Sequence, residues 1–147
     1  MNSANDILNS VLITMARSFL QYVAESFPWV SREDQAVGEQ VEVIALRQRQ
    51  DVGEIAELLT SREHFVDLGT FPTEYTDMQF LALSAMFDGI HSSQATVCEA
   101  ITAGLQSLAA TEDEQAINLL QVIAIRQKEA AKALSEIGQE ISCEGTA

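Results

Sequence analysis

Basic residues are scarce in this chain of 147 residues. Eight Lys and Arg stand against 22 Asp and Glu, a formal charge of −14. A nucleic-acid footprint is excluded on that count, because phosphate binding runs on clustered cations. Anionic membrane surfaces are disfavoured for the same reason. Proline and glycine are also few, two and seven, while 47% of the residues are hydrophobic, which fits a packed helical protein and not a disordered one. The two cysteines, Cys98 and Cys143, make neither a disulfide framework nor a metal-ligand spacing, and no bridge between them is expected. Long uncharged runs are missing too: none reaches the ~18 residues of a membrane helix. Asp6 stands where a signal peptide would carry Lys or Arg, so neither a signal peptide nor a membrane span is expected, and the location read from the sequence is cytoplasmic.

What is present is helical periodicity. Ser3 to Asp6, Ser31 to Asp34, Thr76 to Gln79 and Thr111 to Glu114 each set a hydroxyl three residues ahead of an acid or amide. That is the capping-box spacing, in which the first side chain accepts from backbone N–H groups of the opening turn. Pro28 ends the first helix near Phe27. The stretch with Gly69 and Pro72 lacks a helical period. The expectation is one domain over 1–147, with helices at about 4–27, 32–62, 77–109 and 112–141 and one long crossover over 63–76.

Each predicted helix carries one apolar seam. The third is the clearest: Phe80, Ser84, Phe87, His91, Gln94, Cys98, Ile101, Leu105 and Leu108 alternate spacings of four and three. The first reads Leu8, Leu12, Met15, Phe19, Tyr22 and Ser26; the second Val41, Ile44, Gln48, Asp51 or Val52, Ile55 and Leu58; the fourth Leu120, Ile123, Gln127, Ala130 or Ala131, Leu134 and Ile137. An internal near-repeat links the second and fourth. Val43-Ile44-Ala45-Leu46-Arg47-Gln48 is echoed by Val122-Ile123-Ala124-Ile125-Arg126-Gln127. The same offset carries the first seam onto the third in phase, which points to duplication of a helical hairpin.

Two helical hairpins joined by a longer connection make an all-α, antiparallel four-helix bundle. In helix lengths, crossover and repeated hairpin the chain resembles the ferritin-like superfamily, including bacterioferritin-like proteins. The resemblance implies a di-metal centre built from Glu on the first and third helices and Glu-x-x-His on the second and fourth. Neither Glu-x-x-His motif is present: the inward positions are Ala45 with Gln48 and Ala124 with Gln127, flanked by Arg47 and Arg126. No metal and no other cofactor is therefore expected. If a metal bound, Asp88 and His91 would be its donors, as the one carboxylate–imidazole pair at helical spacing.

The functional expectation is a non-catalytic structural or binding module. Gln48, Gln127, His91 and Gln94 fall at similar heights, with Ser18 or Tyr22 available from the first helix, and form a candidate polar layer, either self-satisfied to fix helix register or lining a remnant site. The alternative is a divergent metal-binding or oxidase protein using His91, Asp88, Glu25 and Glu99. A third reading compares His91-Ser-Ser-Gln94-Ala95 with the histidine of phosphotransfer domains, though Gln94 and Ala95 replace that motif's lysine and glycine. Finally, the first helix is apolar on more than one side, and the fourth similarly over 117–125. That predicts a homodimer through those two faces. His64 is expected in solvent, and Phe71-Pro72 with Tyr75 over one end of the bundle.

Overall fold

The computed structural model describes residues 4–26, 35–72, 75 and 83–145, and these are all-helical with no strand. Among the described residues five helices occur: α1 (Ala4–Ala16), α2 (Phe19–Ser26), α3 (Gln35–Ser61), α4 (Leu83–Ala109) and α5 (Glu114–Gly145). The ends expected at 27, 32 and 77, and the capping pairs at Ser3, Ser31 and Thr76, lie outside the described residues or include residues that do.

The single first helix expected over 4–27 is two helices, bent by 49° at Arg17 and Ser18. No proline causes the break. The Ser18 hydroxyl accepts from the backbone N–H of Gln21 at 3.3 Å, capping α2. The Phe19 N–H donates across to the Ser93 hydroxyl at 2.9 Å. A residue that caps a new helix cannot also continue the old one, because its own φ/ψ must leave the helical well.

Helix α3 closes with a Schellman motif: His64 N–H reaches the Leu59 carbonyl, Glu63 N–H reaches that of Thr60, and Glu63 takes φ 56°. At the start of α5 the cap is Asp113, whose carboxylate accepts from Ala116 N–H at 3.2 Å. Thr111, the expected cap, instead donates its hydroxyl to Leu108 at 2.6 Å. That is why α5 begins at Glu114.

The core divides into two apolar clusters. One gathers Leu8, Leu12 and Met15 of α1 with Val52 and Ile55 of α3, Val97 and Ile101 of α4, and Leu120 and Ile123 of α5. The other gathers Phe19 and Val23 of α2 with Val41 and Ala45, Phe87 and Ile90, and Leu134 and Ile137. The chain therefore passes from the first cluster to the second along α1–α2 and α5, and in the reverse sense along α3 and α4. Helix α1 packs against α3 and α4, and α5 against α4 and α3.

The connection after α3 runs alongside α1 and α2, not over one end. Asn9 exchanges hydrogen bonds with the backbone of Asp67 at 3.2 and 3.0 Å. Arg17 Nε donates to the Leu68 carbonyl at 2.9 Å, and its guanidinium lies 4.7 Å from the Phe71 ring centre. Gly69, at φ 66°, passes so close to Ile13 that a Cβ there would stand 2.8 Å from its methyl. Tyr22 packs against Phe71 and Tyr75, each at 5.3 Å between ring centres. The second apolar side of the first helix is thus covered by the chain's own connection.

Candidate functional site

Between the two apolar clusters lies a layer of amides. Gln48 is fully buried, and Gln21, Gln94 and Gln127 nearly so. The Gln48 carbonyl oxygen accepts from the Ser18 hydroxyl at 2.9 Å and from Gln21 Nε2 at 3.0 Å. Its nitrogen donates to the side-chain oxygens of Gln94 and Gln127, both at 3.0 Å. Gln94 Nε2 donates to the side-chain and backbone oxygens of Gln127, again at 3.0 Å. Gln127 Nε2 donates to Asp51 Oδ2 at 2.8 Å, and Gln21 Nε2 to the Ala45 carbonyl at 2.7 Å. Each amide thereby meets donors with acceptors, which removes a penalty of about 1–3 kcal/mol for every group left bare.

Asp51 is buried and carries the layer to the surface. Arg126 Nη1 donates to Asp51 Oδ1 and to Glu54 Oε2, both at 2.8 Å. Those two hydrogen bonds raise the Arg126 pKa further above its already high value, Asp51 contributing most, so the guanidinium stays charged. Above this pair, between α3 and α5, opens a cleft of about 430 Å³ floored by Gln48 and Gln127.

Of the residues expected in the polar layer, Gln48, Gln94 and Gln127 meet there, and of the two alternatives on the first helix Ser18 joins them. Tyr22 does not; it belongs to the aromatic cluster with Phe71 and Tyr75. His91 does not take part in the described bonds of the layer either. It stands one turn before Gln94, half-buried, with its ring centre 5.7 Å from that of Phe87. A Cβ on Gly138 would lie 2.5 Å from its Nε2, so α5 passes close against the imidazole. Asp88, its expected companion, is exposed. His64 is half-buried, not solvated, with Nε2 3.4 Å from Asp6. Gln21 is the member that the residue spacing passed over. Its signal was nonetheless present, since Ser18-x-x-Gln21 is itself a hydroxyl-to-amide capping spacing.

The donor set does not fit a di-metal centre. Amides stand at the middle of α3, α4 and α5 and are committed to one another, while the buried carboxylate of Asp51 is committed to Arg126 and Gln127. Among the described residues no three His, Cys, Asp or Glu side chains converge as a metal ion requires. Cys98 sits at the edge of the layer, its Sγ 3.7 Å from the Gln127 carbonyl. Burial, before any other cause, raises its thiol pKa above the ordinary value, which makes it a poor thiolate source.

Large apolar side chains left in water mark a second feature. Val43, Leu46, Val122 and Ile125 are between 46% and 61% exposed. They are two equivalent pairs of the internal repeat. Among the described residues, no single helix is long and apolar enough to cross a membrane. No family model, no curated protein and no solved structure matches the chain.

Proposed function

We propose that this chain is a ferritin-like, antiparallel four-helix bundle that works as a non-catalytic structural or binding module, with α1 and α2 together forming its first helix. The observation that carries the reading is the bond between Gln48 and Gln127. The positions where the ferritin-like resemblance would place Glu-x-x-His ligands on two helices hold amides that satisfy each other instead. Support for the topology comes from the order of the core clusters along the chain. The first and last helical segments run one way and the middle two the other, and the connection after α3 travels beside α1–α2. A buried layer of amides serves such a module by fixing one helix register, because any slip would strand several of them without partners.

Metal analysis tests the reading. Protein purified without a histidine tag, incubated with Fe(II), Mn(II) or Zn(II) and desalted, should retain well under one ion per chain. Stoichiometric, tightly held metal would overturn it in favour of a divergent metal-binding or oxidase protein.

A further inference from the structure

The cleft between α3 and α5 lies across the repeat. Its walls bring Arg47 and Arg126, Asp51 and Ala130, Glu54 and Ala133 together, and each pair is related by the offset of 79 that also joins Gln48 to Gln127. The chemistry of the two sides is unequal. Arg126, from α5, reaches across to two carboxylates of α3 at 2.8 Å each. Arg47, from α3, lines the same cleft as the equivalent positions of α5, and these are alanines. Among the described residues no ion pair engages Arg47, and none engages Glu129 at the same cleft. The cleft therefore holds one ion-paired guanidinium, one exposed guanidinium and one exposed carboxylate without ion-pair partners, and two alanines.

We propose that this cleft binds a small amino carboxylate, with its carboxylate on Arg47 beside Ala130 and Ala133, and its amine on Glu129. The ligand carboxylate supplies on one side of the cleft what Asp51 and Glu54 supply on the other. Guanidinium is the side chain best matched to a carboxylate, through paired N–H donors. The amine follows from charge. Arg126 is already outweighed by Asp51 and Glu54, and with Glu129 against Arg47 the cleft carries a net −1, which a bare anion would worsen and a zwitterion would not. The cleft is lined by residues of one chain, so the proposal does not rest on the ferritin-like reading.

An NMR titration of the full ¹⁵N-labelled chain decides the matter, using glycine, β-alanine and γ-aminobutyrate as zwitterions of increasing charge separation. At least one should give saturable shifts confined to resonances of α3 and α5 around the cleft. Acetate or ethylamine alone should bind more weakly. Arg47→Gln and Glu129→Gln should each weaken binding about tenfold or more, as loss of a charge-assisted contact implies. The double variant Ala130→Asp/Ala133→Glu places carboxylates in the cleft and should abolish binding while leaving the rest of the spectrum in place. Arg49→Gln, whose side chain points to Gln21, should bind as the wild type does. Absence of saturation with all three zwitterions, or unchanged binding in Arg47→Gln or in the double variant, overturns the proposal. Equal response to acetate overturns the amine contact.

Discussion

The side chains of Gln48 and Gln127 are hydrogen-bonded to each other at 3.0 Å, and they occupy the same place in the two copies of the repeat. That bond sets the two copies of the repeat side by side at this level. Around it the two parts of the chain differ. The repeat counterpart of Gln94 is Met15, so the first half completes the layer with Ser18 and Gln21 after a break in its helix. The layer is shared between hairpins and belongs to neither alone.

Single and combined substitutions in the layer should therefore be strongly non-additive. Gln127→Leu removes acceptors or donors used by Gln48, Gln94 and Asp51. Each group left bare costs about 1–3 kcal/mol, although Gln48 and Gln94 each keep one other partner. Replacing Gln48, Gln94 and Gln127 together by Leu or Met removes donors and acceptors in step. Urea midpoints should place the triple variant well above the sum of the three single losses. Simple additivity would show that the bonds contribute independently.

Two glycines make a matched pair for backbone and packing effects. A Cβ at Gly53, in the middle of α3, would meet nothing within 4 Å. Gly53→Ala should stabilise by about 0.5–1 kcal/mol through helix propensity alone. At Gly89 a Cβ would stand 2.8 Å from the ring of Phe19, a buried core residue. Overpacking of that kind costs about 1–3 kcal/mol, which outweighs the same propensity gain. Thermal unfolding should move in opposite directions for the two alanines.

Much of this architecture could be read from residue spacing. The seams of the last two helices placed Gln94 and Gln127 inward, the repeat placed Gln48 beside them, and the absence of period after Ser61 marked the connection. What escaped the seams was the break at Ser18. Leu12, Met15, Phe19 and Tyr22 keep an unbroken stripe through it, so the apolar pattern concealed a cap that only the Ser18-x-x-Gln21 spacing, not counted among the capping pairs, could have shown. The 49° bend then turns Gln21 into the layer and Tyr22 toward the connection. The apolar excess of the first helix was equally ambiguous. Periodicity says that a second face must be covered, but not by what, and here Gly69 and Phe71 lie along α1 and α2.

Acid should act through the pair that ties α3 to the start of α5. Arg62 donates to both Asp113 oxygens at 2.7 and 3.0 Å, and this hydrogen bonding, ahead of the N–H of Ala116, holds the Asp113 carboxyl below its ordinary pKa. A carboxyl whose pKa is depressed on folding contributes stability above its unfolded value, about 3.9, and loses it as pH falls through the folded value. Asp113→Asn keeps a competent helix cap but cannot titrate. Its urea midpoint should lie below that of the wild type at neutral pH, and the gap should close below about pH 4. A gap that stayed constant down to pH 2 would remove Asp113 from the acid response.

Association is the remaining consequence of the repeat. Val43 with Val122 and Leu46 with Ile125 put aliphatic residues outside at equivalent positions of both copies, in a chain whose repulsion at −14 opposes self-contact. A closed two-fold dimer needs a surface that is complementary to itself, and a patch made of equivalent pairs meets that need, since Leu46 of one copy can meet Ile125 of the other in both directions. Fully burying one such side chain is worth about 1.5–3 kcal/mol. Light scattering should find a dimer at micromolar concentration that strengthens as salt screens the acidic charge. Leu46→Glu and Ile125→Glu should each shift it to monomer. Phe65→Glu should not, because that exposed ring sits on the connection beside α1 and not on the repeat. A monomer at every salt concentration would leave the four side chains as solvent-facing residues without a partner copy.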